Sequence, residues 1–147
     1  MRKYNSIFIH FNPKYSFFHI QLYRSDGEVY QLRVGKKPTK RGFMLFNDML
    51  ILGEKKSKKL TAKIVVDFDV ATISDIPDNT QFGDEKIRDA WAVYDPTPIV
   101  LYAPDGADQK GALFNLMQST LEGYKSDIIR RREKRANLVS SSFKSMK

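Results

Sequence analysis

Positively charged side chains are concentrated in two short segments on either side of an apolar stretch. The first segment contains Lys36, Lys37, Lys40 and Arg41, the second contains Lys55, Lys56, Lys58 and Lys59, and Arg33 precedes both. The whole chain carries a formal net charge of +8 and has a sequence pI near 9.6. A balance this basic points to an anionic partner, such as a phospholipid headgroup, a nucleic acid or an acidic protein surface.

The chain offers little for covalent or acid–base chemistry. It has no cysteine, and its two histidines, His10 and His19, lie in apolar runs without an acidic neighbour, which is typical of structural histidines. Asp67 and Asp69 would share one face of a strand, but two solvated acids at a strand end are the more common explanation. No phosphate-binding glycine loop and no metal-ligand spacing is present. We therefore expect no enzymatic activity, no cofactor and no metal.

The apolar stretch between the two basic segments is typical of a β-hairpin. Two runs, 43–46 and 49–52, are separated by Asn47 and Asp48 and flanked by Gly42 and Gly53. Asn and Asp tolerate left-handed backbone angles and hydrogen-bond their own turn, so this pair suits a two-residue loop. A single buried helix is the alternative, and the central Asn-Asp and the bounding glycines favour strands.

Further strand patterns surround this hairpin. We expect strands over 29–34, 60–68, 70–76, 90–94 and 99–103, a turn at Ser25-Asp26-Gly27 and a polar surface loop over 80–88. Segments 6–11 and 16–23 are interpreted as strands or as extended segments laid across the body. About seven strands joined by short turns indicate a mainly β fold, either an antiparallel sheet pair or an open barrel.

The C-terminal part of the chain changes to a helical pattern. Asp105 is the expected N-cap, and one helical face carries Leu113, Leu116, Met117, Thr120, Leu121 and Tyr124. Beyond Tyr124 the apolar stripe thins and cationic residues collect between Arg130 and Arg135. We expect an N-terminal extension over 1–25, one domain over 26–125, and a basic helical extension with a flexible tail over 126–147.

The expected topology brings the two basic segments together. In a meander, the loop between the first and second strands lies at the same end as the loop between the third and fourth. Eight positive charges would then form one rim, and each Lys or Arg near an anionic leaflet contributes about 1 kcal/mol. A rim that is merely solvated is the alternative, because lysine-rich turns are ordinary.

The order of these motifs resembles a pleckstrin homology domain, of the type that follows the Dbl-homology domain in Rho-family guanine nucleotide exchange factors. The resemblance covers about residues 27–124. It rests on segments 65–77 and 99–103, on the Trp91 strand and on the hairpin residues Arg41, Phe43, Leu45, Phe46, Asn47, Asp48 and Leu50. It implies a seven-stranded antiparallel sandwich or open barrel capped by one C-terminal helix. It also implies that nucleotide exchange belongs to a separate helical domain.

Two features depart from the family pattern. Such domains usually place a tryptophan in the closing helix, where this chain has Leu113 and Phe114. Phosphoinositide-binding members tend to carry a Lys late in the first strand and Lys/Arg-x-Arg in the second. This chain has Arg33, Lys40 and Arg41 in that region, with Phe43 at the further Arg position, which argues against tight binding of one headgroup.

Three functions follow as hypotheses. The first is binding of phosphoinositide or an anionic membrane surface through the nine cationic residues of the rim region, with a cytoplasmic, peripherally membrane-associated location. The second is a protein-interaction module that docks a Rho-type small GTPase or a partner domain. Nucleic-acid binding ranks last, since it rests only on net charge, the Arg-rich segment and the supply of aromatic residues. No apolar run is long enough to span a membrane.

Overall fold

Strands dominate the molecule, and one long helix follows them. The computed structural model describes the backbone of residues 7–12 and 17–145 and the side chains of residues 21–138. In these ranges the elements are β1 (Ile7–Asn12), β2 (Phe17–Leu32), β3 (Thr39–Phe46), β4 (Met49–Lys56), β5 (Lys59–Asp67), β6 (Thr72–Ile76), β7 (Thr80–Phe82), β8 (Glu85–Ile87), β9 (Ala90–Asp95), β10 (Thr97–Tyr102) and α1 (Ala107–Ser145). The predicted mainly β architecture with one C-terminal helix is confirmed. His10 and His19 lie outside the described side chains.

Seven strands form one antiparallel path in the order β5-β4-β3-β2-β10-β9-β6, and β1 pairs with β2 beside it. β2 is long and pairs with three strands. Its first half pairs with β1, and its second half pairs with β3 and β10. The register between β2 and β3 shifts between Tyr23 and Ser25, which is a β-bulge. β2 also crosses residue 25, where the expected N-terminal extension ended.

The turn expected at Ser25-Asp26-Gly27 is wrong, because β2 continues through these residues. Gly27 is opposite Phe43 in the register, and a Cβ on it would lie 2.9 Å from Cε2 of the Phe43 ring. The glycine therefore makes room for an aromatic side chain from the neighbouring strand. In the sequence, Gly27 follows Ser25 and Asp26, and a glycine in a turn has the same kind of neighbours.

The hairpin of β3 and β4 is confirmed, with Leu45 opposite Leu50 and Phe43 opposite Leu52. Its turn differs from the expected left-handed form. Among the described residues, positive φ outside glycine occurs at Ser57, Asn79 and Asp89. Neighbouring strands hold the turn instead, because the Asn47 N–H donates to the Leu22 carbonyl at 2.9 Å and the Leu22 N–H donates to Asn47 Oδ1 at 2.8 Å.

The polar loop expected over 80–88 is instead a second, two-stranded sheet formed by β7 and β8. Gly83 provides a positive φ of 64° at its turn. Ile87 is buried, and its carbonyl accepts a hydrogen bond from the Asn79 N–H at 2.8 Å. One buried isoleucine among charged neighbours is too short a pattern for the sequence to indicate a strand.

The core lies between the strands and α1. Trp91 is completely buried, and the helix contributes Met117, Leu121, Tyr124 and Ile128 at helical spacing. Leu113, Leu116 and Phe114 are partly buried against the same core. The predicted apolar face of the helix is thereby confirmed and continues one turn further, to Ile128.

Polar side chains of α1 cover the outer edge of β6. Lys110 Nζ donates to the Ile76 carbonyl at 3.2 Å, Gln118 Nε2 to the Ile73 carbonyl at 3.4 Å, and Lys125 Nζ to the Ala71 carbonyl at 2.5 Å. These contacts show that α1 runs antiparallel to β6. Beyond its last buried residue, Ile128, the helix continues to Ser145. No helix in the described part of the chain is long and apolar enough to cross a membrane.

Candidate functional site

The two basic segments meet at one end of the β2–β5 meander. These four strands are consecutive and antiparallel, so the β2–β3 loop and the β4–β5 turn lie at one end, and the β3–β4 turn lies at the other. All six lysines within these two connections or at the adjoining ends of β4 and β5 are exposed. We call them the basic rim: Lys36, Lys37, Lys55, Lys56, Lys58 and Lys59.

Most of the rim ammonium groups have no counterion among the side chains of residues 21–138. Among the described side chains, no ion pair or hydrogen bond involves the ammonium groups of Lys36, Lys37, Lys55, Lys56 or Lys59. Their like charges repel one another in the isolated molecule, and an anionic partner would relieve that repulsion. The rim therefore has the electrostatics of a site for an extended anionic surface.

Arg33 and Arg41 lie beside the rim on the core-facing side of the sheet. Arg41 lies on the same face of β3 as the core residue Phe43, and its Nε donates to Oε1 of the buried Gln31 at 3.0 Å. Arg33 Nη2 donates to Thr39 Oγ1 at 2.8 Å. These bonds orient both guanidinium groups, and the terminal amino groups of Arg41 have no partner among the described residues. Such planar donors suit phosphate or carboxylate oxygens.

Lys40 is separated from Arg41, another predicted site residue. It lies on the opposite face of β3 from Arg41 and forms a salt bridge of 3.1 Å with Glu28 on β2. The hydrogen bond and the negative charge of Glu28 raise the pKa of Lys40 above its ordinary value. Its charge is thus already balanced, because strand pairing brings Glu28 and Lys40 to adjacent positions on one face.

An apolar residue in the β2–β3 loop was not predicted as part of the site. Val34 is 61% exposed and precedes Gly35, Lys36 and Lys37. It lies against Gly83 at the tip of the β7–β8 hairpin. The available sequence signal was an apolar residue at the end of a strand next to two lysines. An exposed valine beside cations adds apolar contact area to the rim.

Carboxylates collect at the opposite end of the meander, near Tyr124 of α1. Tyr124 Oη donates to Asp69 Oδ1 at 2.6 Å, the Asp69 N–H donates to Asp67 Oδ1 at 2.9 Å, and the Asp67 N–H donates to Asp95 Oδ2 at 2.7 Å. We call Asp67, Asp69 and Asp95 the acidic end. Burial of the tyrosine, together with the Asp69 carboxylate, raises the pKa of Tyr124.

The bonds of the acidic end are structural. Its carboxylates accept hydrogen bonds from backbone N–H groups and from Tyr124, so they fix the β5–β6 turn against β9 and α1. Within the side chains the structure describes, no cluster of three or more His, Asp or Glu residues could hold a metal ion. Asp67 and Asp69 therefore connect chain segments at this end of the meander.

The exposed continuation of α1 leaves the body near the acidic end. Every side chain from Ile129 to Leu138 is exposed, and Arg130 is paired with Asp127. A cleft of about 540 Å³ between α1 and β2 is lined by Arg131, Leu22 and Asn47 among others. We call Ile129 to Leu138 the basic arm; its cations are Arg130, Arg131, Arg132, Lys134 and Arg135. The rim and the arm thus lie at opposite ends of the meander.

Comparison with known proteins finds similarity of fold only. No protein-family model and no curated protein sequence matches the chain. A solved complex of human RhoA with the DH/PH fragment of PDZRHOGEF matches 70% of this chain with a TM-score of 0.56 and 17% identity. The linker-DH/PH domains of p115-RhoGEF match 70% of it with a TM-score of 0.55 and 16% identity.

The chain spans 29% and 30% of the length of those two solved chains. At such identities the similarity shows the fold alone. It agrees with the observed antiparallel strands and single C-terminal helix, and the chain therefore has a fold like that of a pleckstrin homology domain.

Proposed function

We propose that this protein is a non-catalytic module that binds phosphoinositide or another anionic membrane surface through its basic rim. In this proposal it is the targeting or regulatory part of a Rho-family exchange factor at the cytoplasmic face of a membrane. The observation that carries the proposal is the convergence of two exposed lysine loops at one end of the fold, with five ammonium groups that have no partner among the described residues.

The charge of the rim is large enough for membrane attraction. Each Lys or Arg near a cytoplasmic leaflet contributes about 1 kcal/mol, and this attraction weakens within a Debye length. Arg33 and Arg41 add guanidinium donors, and Val34 adds apolar surface at the same end. Lys40 adds less, because its charge is balanced by Glu28.

Sedimentation with vesicles tests this proposal. Replacing Lys55, Lys56, Lys58 and Lys59 by Gln removes four rim charges. We expect binding to vesicles of phosphatidylcholine with phosphatidylserine and a phosphoinositide to weaken more than about a hundred-fold. Pure phosphatidylcholine vesicles show what remains without anionic lipid, and competition by an oligonucleotide reports any nucleic-acid binding through the same lysines.

A matched control removes the same number of charges from the other end. Replacing Arg130, Arg132, Lys134 and Arg135 by Gln changes the net charge equally but leaves the rim intact. This variant should keep most of its vesicle binding. Equal sedimentation of the wild-type protein and the rim variant would contradict the proposal. Equal loss of vesicle binding in both variants would show that binding depends on the total charge and not on the rim, which would contradict it as well.

The basic arm favours a second candidate function, docking of a partner protein such as a Rho-type GTPase. Its side chains are exposed, and it lies at the other end of the meander from the rim, so both could be occupied together. Some solved structures of similar fold contain RhoA bound to DH/PH domains.

Pull-down against a panel of Rho-type GTPases tests this second function. We expect binding that the arm variant reduces about ten-fold or more, because cationic rims of interfaces act mainly through charge. The rim variant is the matched control and should bind normally. Absence of binding across the panel would contradict the GTPase-docking function.

A further inference from the structure

Ser57 stands in the middle of the most basic part of the rim. It is exposed in the two-residue turn between β4 and β5, and Lys55, Lys56, Lys58 and Lys59 flank it. Its φ is 58°, in the left-handed region that Ser adopts only at a cost. A hydroxyl at this position could carry a new charge directly into the rim.

The end of the hairpin that carries Ser57 has no backbone pairing with β3, and the side chains of Lys55 and Leu60, which lie close to Gly42, are its contacts with that strand. β4 pairs with β3 only as far as Gly53, opposite Gly42. From Glu54 onward, β4 pairs with β5 alone, through Glu54–Thr61, Lys55–Leu60 and Lys56–Lys59. A two-stranded ribbon is marginally stable, so its tip opens at a small fraction of the global unfolding free energy. The strained Ser57 turn lowers that cost further.

An open tip presents Lys-Lys-Ser-Lys-Lys as an extended segment. Protein kinases with acidic substrate grooves bind a serine that has basic residues on both sides, by charge complementarity. Among residues 21–138, whose side chains the structure describes, the exposed serines outside the rim lack this environment; Ser126, for example, is followed by Asp127 on α1.

We propose that Ser57 is a phosphorylation site for a kinase that selects basic residues on both sides, and that its phosphate releases the rim from an anionic surface. The inference rests on the proposed membrane function. In the transfer, Ser57 Oγ forms a bond to the γ-phosphorus of ATP as the bond to the β-phosphate oxygen breaks. The hydroxyl proton passes to a base of the kinase, and ADP leaves.

The charge change is large for so small a surface. A phosphoserine carries about −1.5 to −2 charges at neutral pH, and it can accept hydrogen bonds from several lysines at once. About two of the four charges of the hairpin are then compensated. Because the attraction of about two charges to the leaflet is lost, binding of the modified protein should be about thirty-fold weaker.

The test uses the full chain, ATP and the catalytic domain of a kinase with this basic selectivity. Mass spectrometry should locate a phosphate on Ser57. Sedimentation with phosphatidylcholine–phosphatidylserine vesicles should then show the thirty-fold loss. Ser57→Gly is the control: glycine accepts the positive φ and carries no hydroxyl, so this variant should bind vesicles like the wild type before and after kinase treatment.

The outcomes separate the inference from the function on which it rests. If Ser57 is not phosphorylated, or is fully phosphorylated without loss of vesicle binding, while the lysine-to-Gln rim variant still loses binding, the inference is overturned and the membrane function stands. If the unmodified protein does not bind anionic vesicles, the membrane function is overturned and the inference falls with it. Loss of binding after kinase treatment in Ser57→Gly would place the effect at another serine or threonine and would also overturn the inference.

Discussion

Tyr124 is the residue that connects α1 to the acidic end. Its ring is buried in the core, and its hydroxyl donates to Asp69. Burial and the neighbouring carboxylate raise the pKa of Tyr124 above its ordinary value of about 10. The folded protein therefore favours the protonated tyrosine. The stability that this preference supplies is complete below about pH 10, and it decreases as the pH rises above that value and the unfolded chain ionises.

Replacing Tyr124 by Phe tests this role. The variant keeps the ring but loses a hydrogen bond to a charged acceptor, so the free energy of unfolding at pH 7 should fall by about 1.5–3 kcal/mol. Above pH 10 its stability should depend less steeply on pH than that of the wild type. Urea denaturation between pH 7 and 11 measures both effects. Tyr94→Phe is the control, since Tyr94 is 41% exposed; a Tyr124→Phe curve parallel to the wild type above pH 10 would contradict the assignment.

At the scale of elements, the hairpin of β3 and β4 could be predicted from the sequence because its two apolar runs and its central Asn-Asp are local signals. The continuation of β2 through residues 25–27 and the β7–β8 hairpin could not be predicted in this way. Gly27 is needed because the Phe43 ring lies over it, and Ile87 matters because it is buried. Both facts depend on contacts between distant parts of the chain. A glycine that serves packing and a glycine that serves a turn look alike in sequence.

Gly53 marks the place where β4 changes from two partner strands to one. The register between β4 and β5 shifts between Leu52 and Gly53, and a Cβ on Gly53 would lie 2.0 Å from the Thr61 carbonyl oxygen. That atom belongs to the backbone and cannot move without disturbing the ribbon. The glycine at this position allows the two strands to approach closely.

Gly53→Ala should therefore lower the free energy of unfolding by more than about 2 kcal/mol. Gly123→Ala is the matched control, because a Cβ there meets nothing within 4 Å and the residue is helical. This second change should raise the stability by up to about 1 kcal/mol. Chemical denaturation of both variants measures the difference. Equal stabilities of Gly53→Ala and the wild type would show that β4 and β5 accommodate a Cβ at this position without cost, which would contradict the prediction.

At the scale of the whole molecule, the charges are segregated. The basic rim occupies one end of the meander, and the acidic end and the start of the basic arm occupy the other. The sequence predicted the rim, because loops that join consecutive antiparallel strands alternate between ends. It did not predict that Glu28 balances Lys40, which follows from the β2–β3 register, or that the arm leaves from the far end, which follows from the direction of α1.

The packing of α1 against the edge of β6 also affects the order in which the chain folds. The side chains that bond the edge carbonyls come from 34, 45 and 54 residues further along the chain. Contacts of such long separation form late, after the local hairpins. Until the helix docks, β6 presents an open edge to other unfinished chains, and open edges promote intermolecular pairing. Docking of the helix therefore removes the edge of β6 from such intermolecular pairing.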